Sequence, residues 1–287
     1  MSSEEESPYS FDDVTPQPLD ASPVCNIMYS DEYRAEVGTL LALMNRHEIS
    51  ERALWLTEQV LDQLASHYSV WIYRFDLVKG LNKSIVDELE WCEQIALDNE
   101  KNYQIWNYRQ LLIEHATKDG GEFSAKRELP LISAMLDADC KNHHVWSYRW
   151  WLVRRFKLDT PEELEWVSSM LAQDLRNNSA WSHRYSVVFS MGGAISDDVV
   201  RREIDYTEKA IAQCPQNPSS WNYLRGIYRK YGAQCSSRPL HQLADGYRDV
   251  SLPALEVLAE HDPSYYSRLA EVDPIRRHYW AALSQPC

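Results

Sequence analysis

The sequence predicts an all-α protein, a curved α-α solenoid of helical hairpins. Three observations carry that expectation. A tryptophan-centred motif recurs along the chain, glycine is scarce at 9 of 287 residues, and apolar residues recur at helical spacing between the motifs. The copies are "HYSVWIYRF", "KNYQIWNYRQ", "KNHHVWSYRW", "RNNSAWSHRY" and "QNPSSWNYLRG", centred on Trp71, Trp106, Trp146, Trp181 and Trp221. The tryptophans alternate steps of 35 and 40 residues. "RRHYWAAL" around Trp280 reads as a degenerate sixth copy.

The elements follow in order. Residues 1–23, which open with "MSSEEESPYSFDDV", are acidic and rich in Ser and Pro, and are expected to be disordered or partner-bound. Residues 24–287 form the helical-repeat domain. "DEYRAEVGTLLALMNRHEISERALWLTEQVLDQL" reads as a capping pair of helices ahead of the first tryptophan. Each repeat then supplies two helices. In "PEELEWVSSMLAQDL", Leu164, Val167, Met170 and Leu171 share a helical face, and Pro161 with the acids after it suits a first turn. In "NNSAWSHRYSVVF", Asn and Ser supply N-cap types, and Trp181, Arg184, Tyr185 and Val188 follow on one face. "AQCSSRPLHQLADGYRDVSLP" breaks the period and reads as a loop or irregular insert.

Two registers lock the copies together. Four keep an arginine three residues after the tryptophan, namely Arg74, Arg109, Arg149 and Arg184, whereas the fifth has Leu224 there and moves Arg225 one place along. Asn102, Asn142, Asn177 and Asn217 stand four before their tryptophans. Seventeen residues before four tryptophans lies an aliphatic residue with a glutamate just ahead: Glu88-Leu89, Glu128-Leu129, Glu163-Leu164 and Glu203-Ile204. Each Trp and Arg reads as inter-helix packing rather than catalysis, with indole–guanidinium stacking expected within the W-x-x-R unit. Glu-rich faces such as "EELE" read as solvated surface. A hairpin cannot bury its apolar face alone, so neighbours must stack.

Composition narrows the function. A net charge of −14 disfavours general nucleic-acid binding and docking on anionic membranes, while leaving room for a local basic pocket. No apolar run is long enough to span a membrane, and the acidic start lacks the apolar core of a signal peptide, so the expectation is a cytoplasmic chain without stable membrane insertion. The six cysteines form no C-x-x-C pair, so no metal site is expected on this chain. No nucleophile–base pair or phosphate loop appears, which weakens any reading as a stand-alone enzyme.

The order of "KNYQIWNYRQ", "KNHHVWSYR", "RNNSAWSHR" and "DPIRRHYW" resembles the α subunits of the protein prenyltransferases, and most nearly the α subunit shared by farnesyltransferase and geranylgeranyltransferase type I. The resemblance implies a right-handed superhelical α-α solenoid, a crescent of helical pairs wrapped around a β subunit, as an obligate heterodimer. The pair would move a farnesyl or geranylgeranyl group from its diphosphate to the cysteine of a C-terminal CaaX sequence. Zinc would be bound by the β subunit, magnesium would serve farnesyl transfer, and the β subunit would set prenyl length. The resemblance places Lys101 on the leaving diphosphate, as the one catalytic contribution of this chain, with Tyr103 and His144 beside it. On the residues alone, Lys101 is a surface lysine near a helix start. Gln104 is either the partner of the peptide's terminal carboxylate or an ordinary polar helix residue. His143 stands where the family commonly has tyrosine. Trp150 and Trp151 face either core or partner. A basic, aromatic pocket is expected where these two repeats meet the partner. The alternatives are a Rab-type geranylgeranyltransferase α subunit, or a non-catalytic helical scaffold, which would have no reason to keep the lysine.

Overall fold

The computed structural model describes residues 7–19, 27–190, 194–235 and 238–284. Its regular structure is helical, and among the described residues there is no strand. Two compact units divide the chain, residues 1–148 and 149–287.

The first unit opens with α1 (Asp31–Asn45) and α2 (Glu51–Gln63), capped by the Ser30 and Ser50 hydroxyls. The helices α3 (Tyr68–Gly80), α4 (Ile85–Asp98), α5 (Tyr103–Ala116) and α6 (Glu128–Ala138) follow, and α7 (His143–Phe156) carries the chain into the second unit. Trp71 lies on α3, Trp106 on α5 and Trp146 on α7, all buried. The second unit continues with α8 (Pro161–Gln173), α9 (Asn178–Phe189), α10 (Asp197–Gln213) and α11 (Pro218–Cys235). Four shorter helices close it: α12 (Leu240–Asp245), α13 (Leu252–His261), α14 (Tyr265–Val272) and α15 (Arg277–Leu283). The stretch expected as an irregular insert therefore contains α12, which buries Leu243 and Ala244.

One arrangement repeats from pair to pair. The arginine three after the tryptophan meets the glutamate of the following pair's first helix through two parallel N–H···O bonds: Arg74 on Glu88 (2.6 and 3.0 Å), Arg109 on Glu128 (2.9 and 2.8 Å), Arg149 on Glu163 (2.8 and 2.7 Å) and Arg184 on Glu203 (2.7 and 2.9 Å). A third group from the next second helix reaches the same carboxylate: Tyr108, Tyr148 and Tyr223 donate their hydroxyls at 2.6 to 2.7 Å, and the His183 imidazole lies 2.6 Å away in the remaining copy. Burial pushes the three tyrosine hydroxyls well above their ordinary range, aided by the glutamate charge. Charges this deep are tolerated only when paired and hydrogen-bonded. Glu163, expected at the surface in "EELE", is instead buried, because the Arg149 guanidinium needs a carboxylate there.

The expected stacking inside W-x-x-R also gives way. Arg74 lies 3.3 Å over Trp91, Arg149 3.2 Å over Trp166, and Arg184 3.8 Å over Tyr206. Each ring stands three residues after the clamping glutamate, so the carboxylate draws the guanidinium across to the neighbouring helix and away from its own tryptophan. The indoles of Trp71, Trp146, Trp181 and Trp221 donate to backbone carbonyls six residues earlier, at 2.8 to 2.9 Å.

The ladder ends at the fifth copy. Leu224 is fully buried in the arginine's place, and Arg225 pairs with Glu260 on α13. The degenerate sixth tryptophan, Trp280, donates to the Asp273 side chain at 2.9 Å.

Part of the acidic leader is packed. Residues 7–18 lie on α1 and α2: Val14 is buried, Gln17 N donates to Gly38 O at 2.9 Å, and Arg52 grips Asp13 at 2.6 and 2.9 Å. The Arg52 hydrogen bond lowers the Asp13 carboxyl to about 2. The disorder expected for 1–23 does not describe residues 7–18, and residues 1–6 and 20–26 lie outside the described residues.

Candidate diphosphate site

The first unit brings the sequence-selected residues to two neighbouring loops. The loop between α4 and α5 ends at Asn102, whose Oδ1 accepts from Gln104 N at 2.9 Å, while its amide donates to Ala65 O at 2.5 Å. The loop between α6 and α7 ends at Asn142, whose Oδ1 accepts from His144 N at 3.1 Å, while its amide donates to Glu100 O at 2.8 Å. Each asparagine thus caps its own helix and ties its loop to the preceding one. This makes Lys101, one residue from both Glu100 and Asn102, a fixed point of the backbone.

The Lys101 side chain is 70 % exposed, and its ammonium pairs with Asp139. The Lys101 hydrogen bond holds the Asp139 carboxyl below its usual range, helped by the Lys141 backbone N–H. Tyr103 is exposed at the first position of α5, its ring 6.0 Å from that of His144. The rings of His143 and His144 lie 5.7 Å apart, edge to face. Partial burial lowers the His144 pKa, and the neighbouring His143 and Lys101 add to the shift. Gln104 donates from Nε2 to Ser66 O at 2.9 Å, which orients the amide but uses one of its donor positions.

An open depression runs along the α2–α3 and α4–α5 loops, with Gln63, Ser66, Lys101, Tyr103 and Gln104 on its wall. Asp62, Asp98 and Glu100 also line it, so the basic character expected there is confined to the Lys101 side. Tyr68 is 66 % exposed in the register of Tyr103 and His143, three before its tryptophan; the repeat alignment held that signal, and sequence reasoning passed it over. Asp139 was missed too, although an aspartate stands seven before Trp146, as Asp174 does before Trp181. The assigned structural residues Trp71, Arg74, Trp106, Arg109, Trp146, Arg149, Trp181, Arg184 and Trp221 all lie in the buried ladder, away from solvent. Trp150 is 37 % exposed, with Arg154 over its ring at 4.6 Å, while Trp151 meets the Phe156 ring edge to face. Among the described residues no three His, Cys, Asp or Glu side chains come together as a metal site. Burial pushes the Cys92 thiol up to about 12, leaving it a core residue rather than a nucleophile.

Known proteins share the repeat and the fold. The protein prenyltransferase alpha subunit repeat matches residues 85–116, 125–156, 160–191 and 200–231. The pair α2–α3 falls outside those matches yet carries the same Arg74–Glu88 clamp. The chain is 44 % identical over 294 residues to the protein farnesyltransferase/geranylgeranyltransferase type-1 subunit alpha of Candida albicans, covering 96 % of each. It is 36 % identical over 279 residues to the protein of that name from Schizosaccharomyces pombe, covering 95 % of this chain and 92 % of the relative. Among solved structures it is similar to a chain of Candida albicans protein geranylgeranyltransferase-I complexed with GGPP, with a TM-score of 0.85 and 42 % identity over 96 % of this chain and 98 % of the other.

Proposed function

The chain belongs to the protein prenyltransferase α subunits, and from that premise we propose how its second and third helical pairs serve prenyl transfer. It is one half of a heterodimeric enzyme whose other half is a β subunit. The reaction joins the sulfur of a CaaX cysteine to C1 of a farnesyl or geranylgeranyl group, while the bond from C1 to the diphosphate oxygen breaks and pyrophosphate departs. Negative charge grows on that leaving group. Lys101 supplies a cation placed before the reaction, so its attraction strengthens as the bond breaks. His144, at the start of α7, donates a hydrogen bond to the diphosphate, and the N-terminus of α5 adds its positive end of the helix dipole. Tyr68, Tyr103 and His143 present exposed rings in one register to the β subunit and the prenyl chain. Gln104, already oriented by Ser66, offers its remaining amide hydrogen to the peptide carboxylate.

The observation that carries this reading is an ammonium 70 % exposed at a loop fixed from both sides by asparagine amides. Cations are not favoured beside a helix N-terminus, and the counter-charge that Asp139 supplies is exposed, so an arriving anion can replace it. Zinc, held by the β subunit, would supply the Lewis acid for the thiol, and magnesium would accompany the farnesyl diphosphate. The proposed setting of this reaction is the cytoplasm. No described helix is long and apolar enough to cross a membrane.

Lys101→Ala, co-purified with the β subunit, tests the reading. Assembly should persist, and the single-turnover transfer rate should fall about 10²–10³-fold. Equal rates for the variant and the parent heterodimer would remove Lys101 from the chemistry, and prenyl transfer by the isolated chain would end the division of labour.

A further inference from the structure

Asp139 does two separate things. It closes α6 as the C-cap residue, its own N–H donating to Met135 O at 3.0 Å, and its Oδ1 accepts the Lys141 N–H at 3.0 Å. The next pair repeats that turn with Asp174, whose Oδ1 accepts Arg176 N–H at 2.9 Å. This makes the Oδ1 contact part of the repeat. The Oδ2 contact with Lys101 is an addition to it, joining residues 38 apart in the chain. The two loops that carry the pair are stitched by Asn142 to Glu100 O at 2.8 Å, so the carboxylate and the root of the lysine stem are held at a set separation by backbone.

We propose that Asp139 is the positioning residue for Lys101, holding the ammonium at the junction of the two loops and yielding it to the incoming diphosphate. The inference rests on the reading of Lys101 given above. A lysine stem is flexible and its strongly hydrated ammonium samples many positions. One carboxylate anchored through its other oxygen confines that sampling. The contact is exposed and made through one oxygen, which keeps it weak and exchangeable. A diphosphate carries more charge than a carboxylate and displaces it. A bidentate or buried partner would hold the lysine too firmly for such exchange.

Asp139→Asn separates the two roles, since the amide oxygen can still accept the Lys141 N–H while the charge facing Lys101 is gone. The measurement is the single-turnover transfer rate of the heterodimer at saturating farnesyl diphosphate, and again at saturating geranylgeranyl diphosphate. It is made for Asp139→Asn alone, for Lys101→Ala alone and for the double variant, with the thermal midpoint of each. Asp139→Asn should slow transfer about twofold to fivefold in the parent background, should not slow Lys101→Ala further, and should leave the thermal midpoint unchanged. An equal loss in both backgrounds, or a lowered midpoint that accounts for the slowing, would reduce Asp139 to a turn residue and overturn the proposal. Parent-like transfer by Asp139→Asn would overturn it as well. If Lys101→Ala keeps full activity, the failure lies with the reading of Lys101, and the positioning role falls with it.

Discussion

Two ion pairs, whose cations stand eight residues apart in the second repeat, join it to the third, and they differ in every respect that matters to function. Arg109 and Glu128 are 1 % and 0 % exposed, meet through two parallel hydrogen bonds, and share the carboxylate with Tyr148. Lys101 and Asp139 are 70 % and 28 % exposed and meet through one oxygen. The first pair is desolvated and geometrically locked, so losing either partner strands a charge in the core. The second is solvated and monodentate, so the lysine can change partners at little cost. The same charge types thus serve architecture in one place and exchange in the other, and burial is what sorts them.

The sharpest way to break that contrast is to remove each cation. Arg109→Leu should destabilise the heterodimer by about 3–5 kcal/mol because Glu128 loses its counter-charge, whereas Lys101→Ala should shift stability by less than about 1 kcal/mol; urea unfolding followed by circular dichroism reads both. Equal losses would erase the distinction. Tyr148→Phe removes one donor to the charged Glu128 and should cost about 1.5–3 kcal/mol in the same titration. If it costs nothing, the carboxylate is satisfied by arginine alone.

Smaller effects test the exposed side. His144 titrates below the ordinary histidine value of 6.5, and an arriving diphosphate favours its protonated form. Prenyl-diphosphate affinity should therefore strengthen as pH falls toward that lowered value and level off below it. His144→Gln should flatten the slope without abolishing binding at pH 7, as fluorescence titration with a prenyl diphosphate analogue can show. An unchanged slope would remove His144 from the anion. On the buried side, burial pushes the Glu163 carboxyl up, but hydrogen bonds from His183 and Arg149 outweigh it and leave the folded value below 4.5. Its contribution is then fully present above pH 4.5 and is lost as pH falls through the lower folded value. The smallest effect belongs to the leader. A Cβ at Gly38 would come 2.6 Å from Gln17 O, so Gly38→Ala should lift residues 7–18 and speed their proteolysis, with little change in overall stability.

Much of the fold was legible because the repeat is written in large, oddly distributed residues. The Trp register, the Asn caps and the Glu register each mark a fixed place on a helical pair. The site residues Lys101, Tyr103, Gln104 and His144 came from the resemblance of two short motifs, and the fold gathers them at two neighbouring loops. Asp139 and Tyr68 stayed hidden, since an aspartate at a helix end and a tyrosine at a helix start look ordinary until the pairs are stacked. Glu163 was misplaced for a related reason: among the acids of "EELE" nothing local says which one turns inward.

The sequence by itself determined the helical pairs, their order and their joints, because periodicity, capping and the arginine register are properties of short stretches of chain. Tertiary structure alone decided which carboxylate each cation meets, 14 residues away for Arg74 and Glu88, 38 for Lys101 and Asp139. Charge attraction is blind to sequence distance, and only packing sets which charges are dry, which are wet, and which stay within reach of a substrate.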